Sequence, residues 1–321
     1  MEKIVFVVGA GRSGTTWLQL MLGSHAAIAT GQESQLFNNY FSHLVQRWQG
    51  ELAYPQTSDL RFHGISAYID ENCFYRLLTR FAVGVFDSVL SAKPGATYFL
   101  EKSPNNSLHI PTILRCFPQA KIIHLLRDGR DVTTSILAAK KSWGRNWSHN
   151  TVEDAALEWS TAVSECAKAR HLTSNYLEVR YEDLLATGPE TLKTLFQFLD
   201  IPISLAEIQA IYGNHTFEKL KANQYDKSTF INPGQSVASG TTNRSEPKNF
   251  FRKGKVGDWK NSLNHAQQQE FYWVAGRTMA QKGYISEDLI PKVLPLRLRI
   301  RYLSRFIRKA AKRLLGAALQ R

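Results

Sequence analysis

A glycine-rich turn follows directly on the first apolar run of the chain, and its spacing is typical of phosphate-binding loops. Residues 4–8 are Ile-Val-Phe-Val-Val, and residues 9–17 are Gly-Ala-Gly-Arg-Ser-Gly-Thr-Thr-Trp. Such turns bind anions because backbone N–H groups and the positive end of the following helix point at the ligand. The sequence therefore predicts a site for a phosphate-like anion, to which Arg12 adds a cation.

One nucleotide-binding template that shares this spacing is the dinucleotide fingerprint, which matches the three glycines of the turn. That fingerprint also needs an acidic residue about 20 positions later, at the end of a second strand, close to where Glu33 stands. Residues 25–31, however, make a poor strand, and a dinucleotide leaves Arg12 without a role. An oxidoreductase that binds a dinucleotide stays open as an alternative function.

A nucleoside triphosphate loop fits less well, because it places a lysine between its last glycine and the following Ser or Thr. Here Thr15 comes directly after Gly14, and the cation lies inside the turn at Arg12. The apolar run 121–126 ends in Arg127, where triphosphate-binding proteins carry an acidic residue for magnesium. We therefore predict anion binding by arginine and backbone groups, without a metal.

Three segments, in this order along the chain, resemble the sulfotransferase family that uses 3′-phosphoadenosine 5′-phosphosulfate (PAPS) and releases PAP. They are Arg12-Ser-Gly-Thr-Thr-Trp17, Arg127-Asp-Gly-Arg-Asp-Val-Thr-Thr-Ser135 and Phe251-Arg-Lys-Gly-Lys-Val-Gly-Asp-Trp-Lys260. The resemblance implies that the first segment binds the 5′-phosphosulfate and that the other two bind the 3′-phosphate. The cofactor-binding residues it implies are Arg12, Ser13, Gly14, Thr15, Thr16, Trp17, Arg127, Ser135, Arg252, Lys253 and Gly254, with Tyr181 near the adenine.

The resemblance also implies catalytic residues. Arg12 would stabilise the bridging oxygen as PAP leaves, and Lys102 aligns with a family lysine that touches the transferring group. Members that sulfate phenols and steroids use a histidine in a Lys-x-His segment, which the chain lacks after Lys102. Glu33 stands 21 residues after Arg12, the separation of the glutamate base in tyrosylprotein sulfotransferases. Structural roles stay open: Glu33 as a helix-start acid, Lys102 in an ion pair and Tyr181 as a core aromatic.

The elements that must position these residues alternate between strands and helices. Strands are predicted at 4–8, 98–101, 121–126 and 176–180. Helices are predicted at 15–23, 36–48, 68–91, 151–170 and 189–199, and a further helix follows residues 127–131 (Arg-Asp-Gly-Arg-Asp, the RDGRD segment) and ends at about residue 140. Such alternation is typical of a parallel sheet covered by helices on both faces. The predicted fold class is therefore a three-layer α/β domain with the phosphosulfate-binding turn after its first strand.

The composition limits the classes of protein to which the chain can belong. Of its net charge of +13, nine positive charges lie in residues 297–321, which contain no acid. The remaining +4 on residues 1–296 is too mild for a general nucleic-acid-binding surface. Three scattered cysteines, with no signal peptide and no apolar stretch of roughly 20 residues, predict a cytoplasmic protein.

The basic C-terminal segment, residues 297–321, is predicted to be a helix that follows a sulfotransferase domain at 1–296. Its apolar residues fall on one helical face, at positions 300, 303, 307, 310, 311, 314 and 318. This pattern is typical of a helix on an anionic membrane surface, although a helix docked on its own domain or a frayed end has the same pattern. A basic membrane-bound protein without catalysis is therefore a second alternative function.

The function predicted from these observations is transfer of a sulfuryl group from PAPS to an acceptor hydroxyl or amine by in-line displacement. The glutamate-type base and the missing Lys-x-His segment favour a carbohydrate, a glycolipid or a peptide as acceptor over a simple phenol. Loops such as 36–65 and 221–249 are expected to select the acceptor, because long loops in compact domains are commonly lids or binding segments.

Overall fold

The computed structural model describes residues 3–53, 64–222, 224, 226–235, 247 and 250–304, without the side chains of Lys227 and Gln235. The chain divides into two compact units. The first unit consists of Met1–Arg127 with Ala162–Gly254, and the second consists of Asp128–Thr161 with Lys255–Arg321. The predicted boundary between a domain at 1–296 and a helix at 297–321 stays a prediction, since residues 305–321 lie outside the described part.

Within the described residues, a parallel sheet of five strands forms the centre of the first unit. The strands are β1 (Ile4–Val8), β2 (Ile28–Thr30), β3 (Tyr98–Lys102), β4 (Lys121–Leu126) and β5 (Tyr176–Arg180), in the order β2-β3-β1-β4-β5. Every neighbouring pair is parallel. Because parallel strands run in one direction, the segments that follow them all meet at one carboxyl edge of the sheet.

Helices follow the strands along the chain. They are α1 (Thr15–Gly23), α2 (Ser42–Leu52), α3 (Glu71–Leu90), α4 (Ile110–Cys116), α5 (Gly129–Lys140), α6 (Val152–Lys168), α7 (Tyr181–Ala186), α8 (Gly188–Phe198), α9 (Leu205–Asn214), α10 (Phe217–Lys221), α11 (Trp259–Ser262) and α12 (His265–Gln281), with a π-helical turn at Phe37–Phe41. In the part of the chain that the structure describes, none of them combines the length and the apolar character needed to cross a bilayer.

The central strand β1 is buried on both faces because its residues alternate between two cores. Val5 and Val7 pack in a core with α1 and α7 to α10, whereas Ile4, Phe6 and Val8 pack in a core with α2, α3 and α4. Helices therefore cover the sheet on both sides, which confirms the predicted three-layer α/β fold.

The prediction that residues 25–31 make a poor strand was wrong, because β2 forms there at the edge of the sheet. All three of its residues are buried, and its backbone pairs with β3. The Lys93 ammonium also donates hydrogen bonds to the carbonyls of Gly23, His25 and Ile28, at 2.9, 2.9 and 2.7 Å. Tertiary pairing and this cation outweigh the weak local strand propensity.

The turn between β1 and α1 needs glycine at two positions. Gly9 has a φ of 151°, and a Cβ there would lie 2.5 Å from the carbonyl oxygen of Leu125 in β4. Gly14 has a φ of 98°, and a Cβ there would lie 2.8 Å from the ring of Tyr181. The turn therefore lies directly against β4 and the residue that follows β5.

In the second unit, Asp128, Arg130 and Asp131 are held by one another and by residues 257–259. The Arg130 guanidinium pairs with Asp128 at 2.6 Å and lies 3.9 Å from the centroid of the Trp259 ring. Asp131 accepts hydrogen bonds from the backbone N–H groups of Gly257 and Trp259, at 2.8 and 2.9 Å. The second arginine and second aspartate of the RDGRD segment thus have structural roles.

The exposed helical glycine Gly84 provides a matched control for the strained Gly9. We expect Gly9→Ala to lower the free energy of unfolding by about 1–3 kcal/mol, because of its positive φ and its contact with β4. Gly84→Ala meets nothing within 4 Å and should stabilise the protein by about 0.5–1 kcal/mol. Urea unfolding of both variants measures the two changes, and equal effects would contradict the close approach at Gly9.

Candidate functional site

The carboxyl edge of the sheet brings together a candidate site residue from every strand. The turn at residues 9–14 follows β1, Glu33 follows β2, Lys102 ends β3, Arg127 follows β4 and Tyr181 follows β5. Ligands of open α/β sheets bind at this edge. The strand order therefore collects residues that are far apart in the sequence.

The turn presents donors suited to an anion. Gly14 caps α1 without a side-chain hydrogen bond, and Thr15 and Thr16 are buried in the first turn of the helix. The Ser13 hydroxyl is buried and has no hydrogen-bond partner among the described residues. An unsatisfied buried polar group costs about 1–3 kcal/mol, which an oxygen of a phosphate or sulfate group would offset. These donors fit the 5′-phosphosulfate implied by the sequence.

Two arginines lie beside the turn and contact neighbouring segments. Arg12 donates from Nη2 to the carbonyl of Phe250 at 2.6 Å, and its guanidinium lies 4.5 Å from the centroid of the Phe250 ring. Arg127 donates from Nη1 to the carbonyl of Arg12 at 3.3 Å and lies 4.1 Å from the centroid of the Tyr181 ring. Cation–π contacts of this kind orient the guanidinium plane. The first two predicted segments are thus in direct contact.

The third predicted segment reaches the same edge. The Tyr181 hydroxyl donates to the carbonyl of Gly254 at 3.1 Å. Gly254 has a φ of 62°, and a Cβ there would lie 2.2 Å from the ring of Phe217, so the backbone passes close to α10. Arg252 is half-buried and Lys253 is exposed. Gly254 therefore lies beside Tyr181, and the preceding Phe250 lies beside Arg12.

The two predicted aromatic residues also have structural roles. Tyr181 is buried, as the structural alternative expected, and its ring packs edge-on against Trp17 with 5.4 Å between centroids. Trp17 donates from Nε1 to the carbonyl of His215 at 2.7 Å. Ser135, by contrast, belongs to the second unit, where it is buried on α5. Its predicted contact with the 3′-phosphate stays a prediction.

Lys102 joins the anion-binding turn to the candidate base. It is buried, and its ammonium donates to the Thr16 hydroxyl at 3.1 Å and to a Glu33 carboxylate oxygen at 2.5 Å. The Glu33 side chain is 37% exposed, so one side of the pair is open to solvent. A buried ammonium needs such a partner. The structural role that the sequence left open for Lys102, an ion pair with an acid, is therefore present, and its partner Glu33 is itself a candidate site residue.

The structure also places a buried carboxylate, Glu101, behind Glu33. Glu101 accepts hydrogen bonds from the hydroxyls of Ser34 and Ser103, at 2.8 and 2.7 Å, and from the amide of Asn106. Burial raises the pKa of Glu101, although the two serines and Lys102 lower it. The consecutive residues Glu101 and Lys102 thus fix the backbone around Glu33. Sequence reasoning missed Glu101, whose one signal was an acid at the end of an apolar strand.

The charge pattern of the edge suits the transfer of an anionic group. Arg12, Lys102 and Arg127 supply positive charge that can stabilise oxygens on which negative charge develops. Glu33 supplies a carboxylate that can accept a proton. Among the described residues, no group of three or more His, Cys, Asp or Glu side chains is arranged to hold a metal ion.

The strand order does not match the dinucleotide-binding arrangement. That fold places its second strand next to the first, so that the acid after the second strand reaches the ribose. Here β3 lies between β1 and β2, and Glu33 pairs with Lys102 at the end of that intervening strand. The geometry therefore gives no support to the dinucleotide alternative.

Comparison with known proteins gives a family match and several relatives. A model of the sulfotransferase family matches residues 5–205, a range that contains the first two segments and Tyr181. The chain is 26% identical over 208 residues to a putative protein-tyrosine sulfotransferase of Caenorhabditis briggsae, covering 63% of this chain and 67% of that protein. It is 25% identical over 205 residues to protein-tyrosine sulfotransferase A of Caenorhabditis elegans, covering 63% and 50%. The aligned region thus spans between half and two thirds of these relatives.

The fold is similar to that of a solved mouse structure, the sulfotransferase SULT7A1 complexed with PAP. The two chains superpose with a TM-score of 0.55 at 18% identity, over 90% of this chain and 86% of the mouse protein. At that level of identity the likeness concerns the fold alone, and it agrees with the three-layer architecture.

The buried carboxyl of Glu101 predicts a specific pH dependence of stability. Because its pKa is higher in the folded chain than in the unfolded one, its contribution is largest below about pH 4.3 and is lost as the pH rises through the folded value. The Glu101→Gln variant cannot ionise at this position and so does not lose this contribution. We therefore expect the melting temperature of the variant minus that of the unsubstituted protein to increase from about pH 4 to pH 7. Thermal unfolding of both proteins across this range measures the difference. A constant or decreasing difference would contradict the burial of this charge.

Proposed function

This chain belongs to the sulfotransferase family, and on that premise we propose that it transfers a sulfuryl group from PAPS to an acceptor hydroxyl. The observation that carries the proposal is that Arg12, Arg127 and the stretch of chain at residues 250–254 come together at one edge of the sheet. Arg127 contacts the backbone of Arg12, Arg12 contacts Phe250, and Tyr181 links Arg127 to Gly254.

The nucleotide would be held at both of its charged ends. The turn, with Ser13, Thr15 and Thr16, would bind the 5′-phosphosulfate at the N-terminus of α1. Arg127 and the segment Arg252–Gly254 would bind the 3′-phosphate, for which the planar fork of arginine is well suited. Adenosine nucleotides without a 3′-phosphate would lose the second set of contacts.

The residues of the site have separable roles in the transfer, for which PAPS supplies the sulfuryl group. Glu33 would accept the proton of the acceptor hydroxyl as the new oxygen–sulfur bond forms. Arg12 would stabilise the negative charge that develops on the oxygen leaving with PAP. Lys102 would neutralise charge on the transferring group and orient Glu33 through their ion pair. Positioning and electrostatic stabilisation of this kind are the main terms in analogous phosphoryl transfers.

We propose a peptide tyrosine as the acceptor. Two relatives of this chain are named as protein-tyrosine sulfotransferases, and Glu33 stands at the separation from Arg12 that the sequence resemblance implies for that type. Because the Glu33 side chain is partly exposed, its carboxylate would be accessible to a tyrosine side chain that approaches from solvent. Carbohydrate and glycolipid hydroxyls are the other acceptor classes to compare.

We expect PAP to bind much more tightly than 5′-AMP or NAD, because of its 3′-phosphate. Arg127→Ala should weaken PAP binding about 10- to 100-fold, the range for a lost charge-assisted hydrogen bond, and should leave 5′-AMP affinity nearly unchanged. Arg80→Ala removes the same charge from an exposed position on α3 and should change neither affinity. Titration calorimetry of the unsubstituted protein and both variants measures these affinities. Equal affinity for PAP and 5′-AMP, or a preference for NAD, would rule out the proposed nucleotide.

Replacing the candidate base should slow the chemical step and, because Lys102 loses its partner, also lower the melting temperature. With ³⁵S-labelled PAPS and a panel of tyrosine peptides, oligosaccharides and glycolipids, we expect label on the peptides. Glu33→Gln should lower kcat by ~10²–10⁴, the usual contribution of a general base, while PAP affinity stays the same. Glu71→Gln, in the exposed ion pair with Arg115, is the matched control and should stay within about twofold. Full activity in Glu33→Gln would remove Glu33 from its proposed role.

A further inference from the structure

The start of the basic C-terminal segment is attached to the second unit through one leucine and one arginine. Residues 296–304 are helical, and Leu298 is fully buried. Arg301 pairs with Glu153 at 2.9 Å and lies 3.6 Å from the buried carboxylate of Glu270. An arginine between two acids and one leucine therefore fix the orientation of this helix about its axis.

This orientation leaves the apolar face of the helix exposed. Leu296, Ile300 and Leu303 are 70%, 60% and 61% exposed, and their spacing places them on one helical face. A helix that stabilised its own domain by hydrophobic packing would turn this face inward. The alternative that this helix docks on its own domain is therefore correct only in part for residues 296–304. Leu298 and Arg301 make the contact, and the apolar face does not. We call Leu296, Ile300 and Leu303 the outward face.

The positive charge of the C-terminal segment indicates which kind of partner would bind the outward face. Residues 297–321 carry nine Lys and Arg residues and no acid, and the sequence keeps apolar residues in phase at 307, 310, 311, 314 and 318. A second copy of the segment would bring the same positive charge against it. A nucleic acid would satisfy the charge and leave the leucines in water. A membrane with anionic headgroups satisfies both the charge and the apolar side chains.

We propose that the C-terminal segment binds anionic lipid membranes through the outward face and its flanking basic residues. Leu296, Ile300 and Leu303 would enter the boundary between headgroups and acyl chains, and Arg299 would lie at the level of the lipid phosphates. Arg301 would hold the helix on the second unit so that the outward face stays available. Binding would be reversible and would weaken with salt, because it combines a small apolar area with electrostatic attraction.

The test compares two double variants of the full-length chain in vesicle flotation. Ile300→Asp/Leu303→Asp alters the outward face, and Leu157→Asp/Leu205→Asp makes the same charge change at leucines that are 57% and 67% exposed elsewhere. Vesicles contain phosphatidylcholine alone or mixed with phosphatidylglycerol. We expect binding to the mixed vesicles only, roughly tenfold or more weaker in the first variant, and unchanged within about twofold in the second.

Several outcomes would overturn the proposal. They are no binding of the unsubstituted chain to mixed vesicles, equal binding by both double variants, and a dimer in gel filtration that Ile300→Asp/Leu303→Asp dissociates. The third outcome would assign the outward face to a second copy of the chain. Melting temperatures of both variants establish that they are folded, and PAP affinity should be the same in all three proteins, so loss of membrane binding is distinguishable from loss of the nucleotide site.

Discussion

Five parallel strands must end at the same edge of their sheet, and the proposed chemistry depends on this constraint. The residues that follow β2, β3, β1, β4 and β5 are separated by up to about 170 positions in the chain, yet they meet along one edge of the sheet. The close approach of Gly9 to β4 and of Gly14 to Tyr181 brings the turn to that edge. Without parallel pairing, Arg127 would not contact the backbone of Arg12 at this edge.

Electrostatic balance at this edge explains the pairing of Lys102 with Glu33. Arginine side chains and the N-terminus of α1 make the edge positive, which favours an anionic ligand but makes a buried ammonium costly. Glu33 offsets the charge of the Lys102 ammonium, which also donates a hydrogen bond to the Thr16 hydroxyl. The same carboxylate is the candidate base, so the groups that would hold the anion would also position the group that takes the acceptor proton. Glu101 supports this arrangement from within the core through Ser34 and Ser103.

The sequence was sufficient for features that local pattern determines. The buried strand before Gly9, the strand that ends at Arg127 and the alternation of strands and helices were all predicted from short-range periodicity and confirmed. Contacts between residues far apart in the sequence could not be predicted from local pattern. Examples are the stabilisation of β2 by Lys93 and β3, and the orientation of Arg12 by the carbonyl of Phe250. The outward face at Leu296, Ile300 and Leu303 was also out of reach, because the periodicity of a helix identifies its apolar face without telling which face the protein covers.

The central claim is that one nucleotide with a 3′-phosphate is held between the three basic segments. A crystal structure of the protein with PAP tests it most directly. We expect the 3′-phosphate within hydrogen-bond distance of the guanidinium groups of Arg127 and Arg252, and the 5′-phosphate against the N–H groups of residues 13–16 beside Arg12. PAP bound away from the carboxyl edge of the sheet, or with its 3′-phosphate in solvent, would contradict the account.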